Sequence, residues 1–86
     1  MFCSAEEIKT MAMFLRAKER VSGKRFIVHP WELAKLRDER LVPMPYSTLD
    51  WLWREGVLAM RELDTGGYEV LAVDHEQVDN ILALEV

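Results

Sequence analysis

The segment from Val57 to Asp74 constrains the fold of this 86-residue chain more than any other. Two β-type runs, VLAMRELD and YEVLAVD, are separated only by TGG. Paired glycines between such runs are typical of a hairpin turn, because glycine readily adopts the positive φ that tight turns need. Gly56, just before the first run, ends a helical pattern that begins at Pro45. The sequence therefore predicts a helix over residues 45–55, followed directly by a β-hairpin.

Local signals place the other elements. Ser4 and Glu7 are spaced as a capping box at the start of a first helix, which Gly23 ends. The run RFIVH, residues 25–29, is β-type, and Pro30 suits the first turn of a second helix. Asp74 is a candidate N-cap for a C-terminal helix, with Gln77 three residues later. The predicted order is helix, short strand, helix, helix, hairpin, helix, so the fold class is α+β.

Apolar spacing predicts which residues form the core. In the second helix we expect Trp31, Leu33 and Leu36 at the apolar positions. In the third helix STLD, residues 47–50, is a capping-box variant inside the first turn. The expected core consists of Met11, Leu15, Ile27, Leu33, Leu36, Leu49, Leu52, Trp53 and Leu58.

Trp51 and Trp53 lie about 200° apart around a helix that turns about 100° per residue. With Leu49, Leu52 and Trp53 facing inward, the outer side of the helix consists of Ser47, Asp50, Trp51 and Arg54. Tryptophan is enriched at interface hot spots, so Trp51 is a candidate ligand contact. The alternative is that Trp51 packs against a neighbouring element of the same chain.

Length and composition predict one domain over residues 1–86. Cys3 is the only cysteine, and neither a secretory signal nor a membrane-spanning run is present, so we expect a cytoplasmic protein. His29, His75 and Cys3 are too widely spaced to predict a metal site. The sequence contains no phosphate-binding glycine loop and no nucleophile with a base and an orienting acid. It therefore predicts neither an enzyme nor a cofactor.

The pattern L-x-x-L-x-x-x-G-V-L, from Leu49 to Leu58, followed by a glycine-tipped hairpin, resembles the winged helix-turn-helix superfamily. The run ELAKL, residues 32–36, is similar to the first helix of its helix-turn-helix pair. The resemblance implies that helix 45–55 is the recognition helix and that the hairpin is the wing. The connection RDERLVPMP is longer than the tight turn typical of the superfamily, and its prolines should make it stiff.

For DNA binding, the resemblance implies contacts from Ser47, Asp50, Trp51 and Arg54. The candidate phosphate contacts are Lys24, Arg25, Lys35, Arg61 and Tyr68. The net charge of −4 and the wing tip LDTGGYE, which lacks Lys and Arg, oppose this interpretation. The basic residues are equally explained as a solvated surface.

Two functions are therefore expected. The first is a small regulator that binds double-stranded DNA as a homodimer, because two-fold dimers are the common way to extend a binding site. Apolar residues on the first helix, Met13 and Ala17, and at the C-terminus, Leu84 and Val86, are candidates for the dimer contact. The second is a protein-interaction winged helix that acts as an adaptor, an assembly subunit or a phage-type protein that occupies a host factor.

Overall fold

The structure, a computed structural model, describes residues 4–84. It consists of four helices and one three-stranded antiparallel sheet, in the predicted order along the chain. The elements are α1 (Ala5–Ser22), β1 (Phe26–Val28), α2 (Pro30–Asp38), α3 (Pro45–Arg54), β2 (Leu58–Glu62), β3 (Tyr68–Val73) and α4 (His75–Leu82). The α+β class predicted from the sequence is confirmed. Cys3 and Val86 lie outside the described residues.

Most helix ends follow the predicted local chemistry. The Ser4 hydroxyl accepts from the Glu7 amide at 3.1 Å, and Gly23 ends α1 with φ of 94°. Asp74 accepts from the Gln77 amide at 3.2 Å at the start of α4. The cap predicted inside α3 is wrong. This helix starts from Met44, whose carbonyl accepts from the Thr48 hydroxyl at 3.0 Å.

The strand β3 lies between β1 and β2, and both pairs are antiparallel. Val28 and Glu62 pair with Tyr68, in a row on the core-facing side of the sheet. Successive residues of a strand point to opposite faces, so the next row lies on the outer side. In that row Glu69 is opposite Ile27 on one strand and Arg61 on the other.

The expected core is confirmed except at two residues. The confirmed core residues are Met11, Leu15, Leu33, Leu36, Leu49, Leu52 and Leu58. Ile27 was wrongly included and is 42% exposed. Phe26 and Val28 point inward, and strand alternation turns Ile27 outward. An apolar run of three residues does not reveal which alternate set is buried.

The assignment of the two tryptophans of α3 is also wrong. Trp53 is 38% exposed, whereas Trp51 is half-buried and packs against the core. The inward side of the helix passes through Thr48, which is fully buried, together with Leu49 and Leu52. Because the Thr48 hydroxyl is bonded within its own helix, it is buried at little cost. The two tryptophans therefore flank the buried side of α3.

In α2, Trp31 is 64% exposed and stacks on His29, so its expected place among the inward apolar positions is wrong. Glu32 is buried instead. Its carboxylate accepts from the His29 amide at 3.0 Å and from Lys18 Nζ at 2.9 Å. These two bonds compensate for the loss of water around a carboxylate that the sequence pattern alone would place in solvent.

The connection between α2 and α3 is anchored at both of its ends. Val42 is fully buried, and its amide donates to the Leu36 carbonyl at 3.2 Å. Arg40 has φ of 58°, a left-handed conformation that turns the chain after α2. Pro45 is the first residue of α3. Together these features fix where α3 begins relative to α2.

Gly67 sets the distance between the hairpin and the start of α2. A Cβ at this position would lie 2.6 Å from the Val28 carbonyl oxygen and 3.1 Å from Pro30 Cδ. Real Cβ atoms do not approach backbone oxygen so closely, so only glycine fits without displacement. The turn end of the hairpin is therefore held directly against the end of β1 and the first residue of α2. Within residues 4–84 no helix is long and apolar enough to span a membrane.

Candidate interaction surface

The outer side of α3 carries four predicted site residues together. Ser47, Asp50, Trp51 and Arg54 line one shallow depression of about 110 Å³. Arg54 Nε donates to Asp50 Oδ2 at 2.7 Å, and Arg54 Nη2 donates to the same oxygen. The two charges are one helical turn apart, as in a typical i,i+4 ion pair. The outer side of α3 therefore presents a neutralised guanidinium rather than a free cation.

A second feature, which we name the α3–hairpin notch, is formed by Tyr46, Asp50, Glu62 and Tyr68. The rings of Tyr46 and Tyr68 have centroids 6.0 Å apart and are inclined at 57°. Asp50 follows Tyr46 by one helical turn, and Glu62 is paired with Tyr68 across the hairpin. The notch therefore combines two phenol rings with two carboxylates.

The electrostatic environment of Tyr68 agrees with this arrangement. The pKa of Tyr68 is raised above its ordinary value, first by burial and then by the negative charge of Glu62, by Tyr46 and by the charge of Asp50. Each of these effects disfavours the phenolate, because it is either desolvated or repelled by a like charge. Glu62 and Asp50 therefore both lie near enough to the Tyr68 ring to disfavour a negative charge on it.

An apolar groove adjoins the notch. It has a volume of about 420 Å³ and runs between α2 and the segment that leads into α3. Pro43, Met44 and Tyr46 form part of its wall, and Tyr46 and Met44 are each 44% exposed. Because Tyr46 belongs to both features, the groove and the notch form one continuous surface.

The predicted basic contacts do not converge on this surface. Arg25 and Arg61 lie on the outer side of the sheet, where Glu69 binds them at 3.8 Å and 2.6 Å. Lys24 borders a different depression, beside Glu19 and His75. Lys35 lies on α2, 4.0 Å from Glu39. Tyr68 alone of this predicted set reaches the surface next to α3.

Sequence reasoning missed Tyr46 and Glu62. Tyr46 and Asp50 are four residues apart, so their common helix face is readable from the sequence. The same spacing relates Asp50 to Arg54 and would have predicted their ion pair. The position of Glu62 depends on the strand register and on how α3 seats against the hairpin, and no local pattern specifies either.

The surface has no sign of metal chemistry in the part of the chain that the structure describes. No group of three His, Cys, Asp or Glu residues there is arranged to hold a metal ion. No protein family, curated protein or solved structure matches the chain. The interpretation of the surface therefore depends on its own residues.

Proposed function

We propose that the chain is a winged-helix module that binds a partner protein through the surface formed by α3, the hairpin and the α2–α3 groove. In this proposal α2 and α3 are the helix-turn-helix pair, and β2 and β3 are the wing. The order of the elements and the central position of β3 in the sheet support this assignment. The fold alone does not select a ligand, because one fold serves many functions.

The observation that carries the proposal is the charge on α3 and the wing. Arg54 is bound to Asp50, and no Lys or Arg occurs between Glu62 and Asp74. A duplex presents closely spaced phosphates, and its affinity for proteins comes largely from free Lys and Arg residues. A recognition helix with a neutralised arginine beside an acidic wing is poorly suited to that ligand.

The same surface has the composition of a protein interface. Tyrosine and methionine are enriched at such interfaces, and Tyr46 and Met44 are both substantially exposed beside an apolar groove. Trp51 extends the surface along α3. Because Trp51 also packs on the core, Trp51→Ala should weaken both folding and partner binding.

Site-specific photo-crosslinking tests this proposal. A photoreactive phenylalanine analogue at Met44 should crosslink to one partner protein in the source cells. The same analogue at Val21, which is 87% exposed on α1, is the matched control and should not capture that protein. Equal capture from both positions would contradict the proposal.

Double-stranded DNA binding is the second candidate function. It is supported by Arg25 and Arg61, whose side chains are each 65% exposed and share a single carboxylate, with Lys24 next in the chain. In this function Ser47, in the first turn of α3, would contact a backbone phosphate. Fluorescence anisotropy with random-sequence duplexes at about 50 mM and 200 mM salt tests it, because phosphate binding must weaken steeply as salt rises. Tight, salt-dependent binding would make DNA the ligand.

For either function we propose a homodimer. Met13 is 57% exposed on α1, and Ala17 follows it four residues later on the same side of the helix. Leu84, after α4, is 44% exposed. Sedimentation equilibrium at micromolar concentration should give twice the chain mass, and Met13→Glu should return the protein to a monomer. A monomer mass for the unmodified chain would exclude the homodimer.

A further inference from the structure

We propose that the α3–hairpin notch binds the cationic side chain of an arginine or lysine in the partner protein, with an apolar residue of the same segment in the adjoining α2–α3 groove. This inference rests on the proposed function, and it specifies the chemistry of the partner. It is carried by three neighbouring side chains: the ring of Tyr46 packs on that of Tyr68, and the exposed Glu62 is paired with Tyr68 across the hairpin.

The rings of Tyr46 and Tyr68 offer an aromatic surface for a cation. The rings of Tyr46 and Tyr68 have centroids 6.0 Å apart and are inclined at 57°, so they pack on each other as a tilted pair and hold each other in place. Tyr46 is 44% exposed, which leaves one ring face accessible. The negative face of an aromatic ring attracts ammonium and guanidinium groups within about 6 Å of its centroid. An extended cationic side chain therefore has favourable contacts on the exposed part of the Tyr46 ring.

The notch also carries negative charge that attracts a cation. Glu62 is exposed, and no Lys, Arg or His among residues 4–84 lies within ion-pair distance of it. Asp50 is bound to Arg54, so Glu62 is the carboxylate of the notch that is available to an incoming cation. Asp64, two residues beyond Glu62, adds a further negative charge at the hairpin tip. The charge of the notch is thus complementary to a cation.

The raised pKa of Tyr68 agrees with this geometry. Glu62 and Asp50 both contribute to that rise, after burial, so their negative charges reach the ring. An anionic ligand would experience the same repulsion as the phenolate. A bound cation would reverse the effect by compensating both carboxylates.

The groove determines what else the partner must contain. Tyr46 forms part of the groove and of the notch, so a segment that places a cation on the exposed part of the Tyr46 ring lies beside Met44. Most residues that line the groove are apolar, and Arg37 is the one charged residue among them. An apolar residue near the cation in the partner sequence would bury itself there. The predicted motif is therefore one basic residue beside one or two large apolar residues.

An NMR titration of the full 86-residue chain with two synthetic peptides tests the inference. The peptides are acetyl-LARAL-amide and the same peptide with citrulline, a neutral isostere of arginine, at the centre. The arginine peptide should shift the ring signals of Tyr46 and Tyr68 saturably and bind about tenfold more tightly than the citrulline peptide. Equal binding of both peptides, or shifts confined to other residues, would overturn the inference.

Charge variants at the notch sharpen the test. Glu62→Gln should weaken binding of the arginine peptide several-fold and leave the citrulline peptide unaffected, whereas Glu62→Asp should retain most of the binding. The matched control is Glu76→Gln, an exposed acid on α4, which should change neither peptide. Thermal unfolding of each variant verifies that the fold is intact. Unchanged arginine binding in Glu62→Gln would also overturn the inference.

The two proposals fail in different ways. Salt-dependent duplex binding with no protein crosslinked from Met44 would remove the proposed function. If a partner is crosslinked from Met44 but binds Glu62→Gln and the unmodified chain equally, protein recognition stands and the cation-binding notch is excluded.

Discussion

The hairpin carries two glutamates with opposite environments. Glu69 lies on the outer side of the sheet, where Arg61 binds it at 2.6 Å and Arg25 lies at 3.8 Å. Glu62 lies on the other side, opposite Tyr68, and the described residues provide it with no ion-pair partner. The two residues belong to adjacent rows of the same sheet. A carboxylate on one side therefore compensates two arginines of its own chain, while the carboxylate on the other side remains available.

The difference identifies the side of the hairpin that is open to a ligand. Charges that neutralise one another within a fold have little left to offer a partner, whereas an unpaired charge beside exposed rings retains its attraction. The two sides also differ in their neighbours, because the Glu62 side meets α3 and the Glu69 side meets solvent.

The largest expected effect is on the stability of the whole fold, on which the environments of Glu62 and Glu69 both depend. Leu52 is fully buried beneath α3, so Leu52→Ala should lower the free energy of unfolding by about 2–5 kcal/mol, the usual cost of truncating a core leucine. Chemical denaturation monitored by circular dichroism measures this loss. Trp53→Ala, on the exposed flank of the same helix, should cost less. A larger loss for Trp53→Ala would contradict the assigned faces of α3.

Gly67→Ala should displace the hairpin from α2. The surroundings of Glu62 and Tyr68 should change more than those of Glu69. The added methyl group meets the Val28 carbonyl oxygen and the Pro30 ring, and overpacking of this kind typically costs about 1–3 kcal/mol. Thr65→Ala, in the exposed turn, is the control and should be nearly neutral. NMR shifts should move at Tyr68 and Tyr46. Stability equal to that of the parent would show that the hairpin tolerates a side chain here.

Neutralising each glutamate tests the comparison directly. Glu69→Gln leaves Arg25 and Arg61 facing each other without a carboxylate, and should cost up to about 1 kcal/mol because the arginines are largely exposed. Glu62→Gln should change the free energy of unfolding by less than about 0.5 kcal/mol, as for most surface substitutions. Denaturation of both variants at low salt measures the difference. A larger loss of stability for Glu62→Gln than for Glu69→Gln would mean that Glu62 stabilises the fold.

The smallest expected effect is on titration. Burial, Glu62, Tyr46 and Asp50 raise the pKa of Tyr68, so the folded state favours its neutral phenol. This stabilisation is complete below the ordinary tyrosine pKa near 10 and is lost as pH rises through the higher folded pKa. Glu62→Gln should lower the pKa of Tyr68 towards its ordinary value, whereas Glu69→Gln should lower it less. Phenolate absorbance, with Tyr68→Phe to assign the signal, measures both shifts.

The sequence predicted what local chemistry determines. Capping by Ser4 and Asp74, the stop at Gly23 and the start at Pro45 each depend on residues within one turn, and all four are observed. The order of the elements followed from these signals together with the glycine-tipped hairpin.

Predictions that required choosing a face were less reliable. Thr48 occupies the inward position assigned to Trp53, because a threonine bonded to its own helix is compatible with burial. Ile27 lies in an apolar run of three residues. Either Ile27 or its two neighbours could face the core, and the sequence does not distinguish the two cases. The notch depends on contacts between α3 and the hairpin. These contacts are set by the tertiary fold, and no local sequence pattern predicts them. The predicted outer residues of α3 share one depression, but the ion pair that neutralises Arg54 was not predicted.

The contact of Gly67 with Val28 and Pro30 has a consequence for how chains of this kind could diverge. A substitution at position 67 would displace the hairpin and move Tyr68 relative to Tyr46, without altering any residue that touches a ligand. Replacing Pro30 by a residue without a ring would relieve only part of that displacement, because the carbonyl oxygen of Val28 would still meet the added side chain. Natural variation at this one glycine would therefore change the size of the side chain that the notch accepts, while variation at Thr65 in the exposed turn would leave it constant.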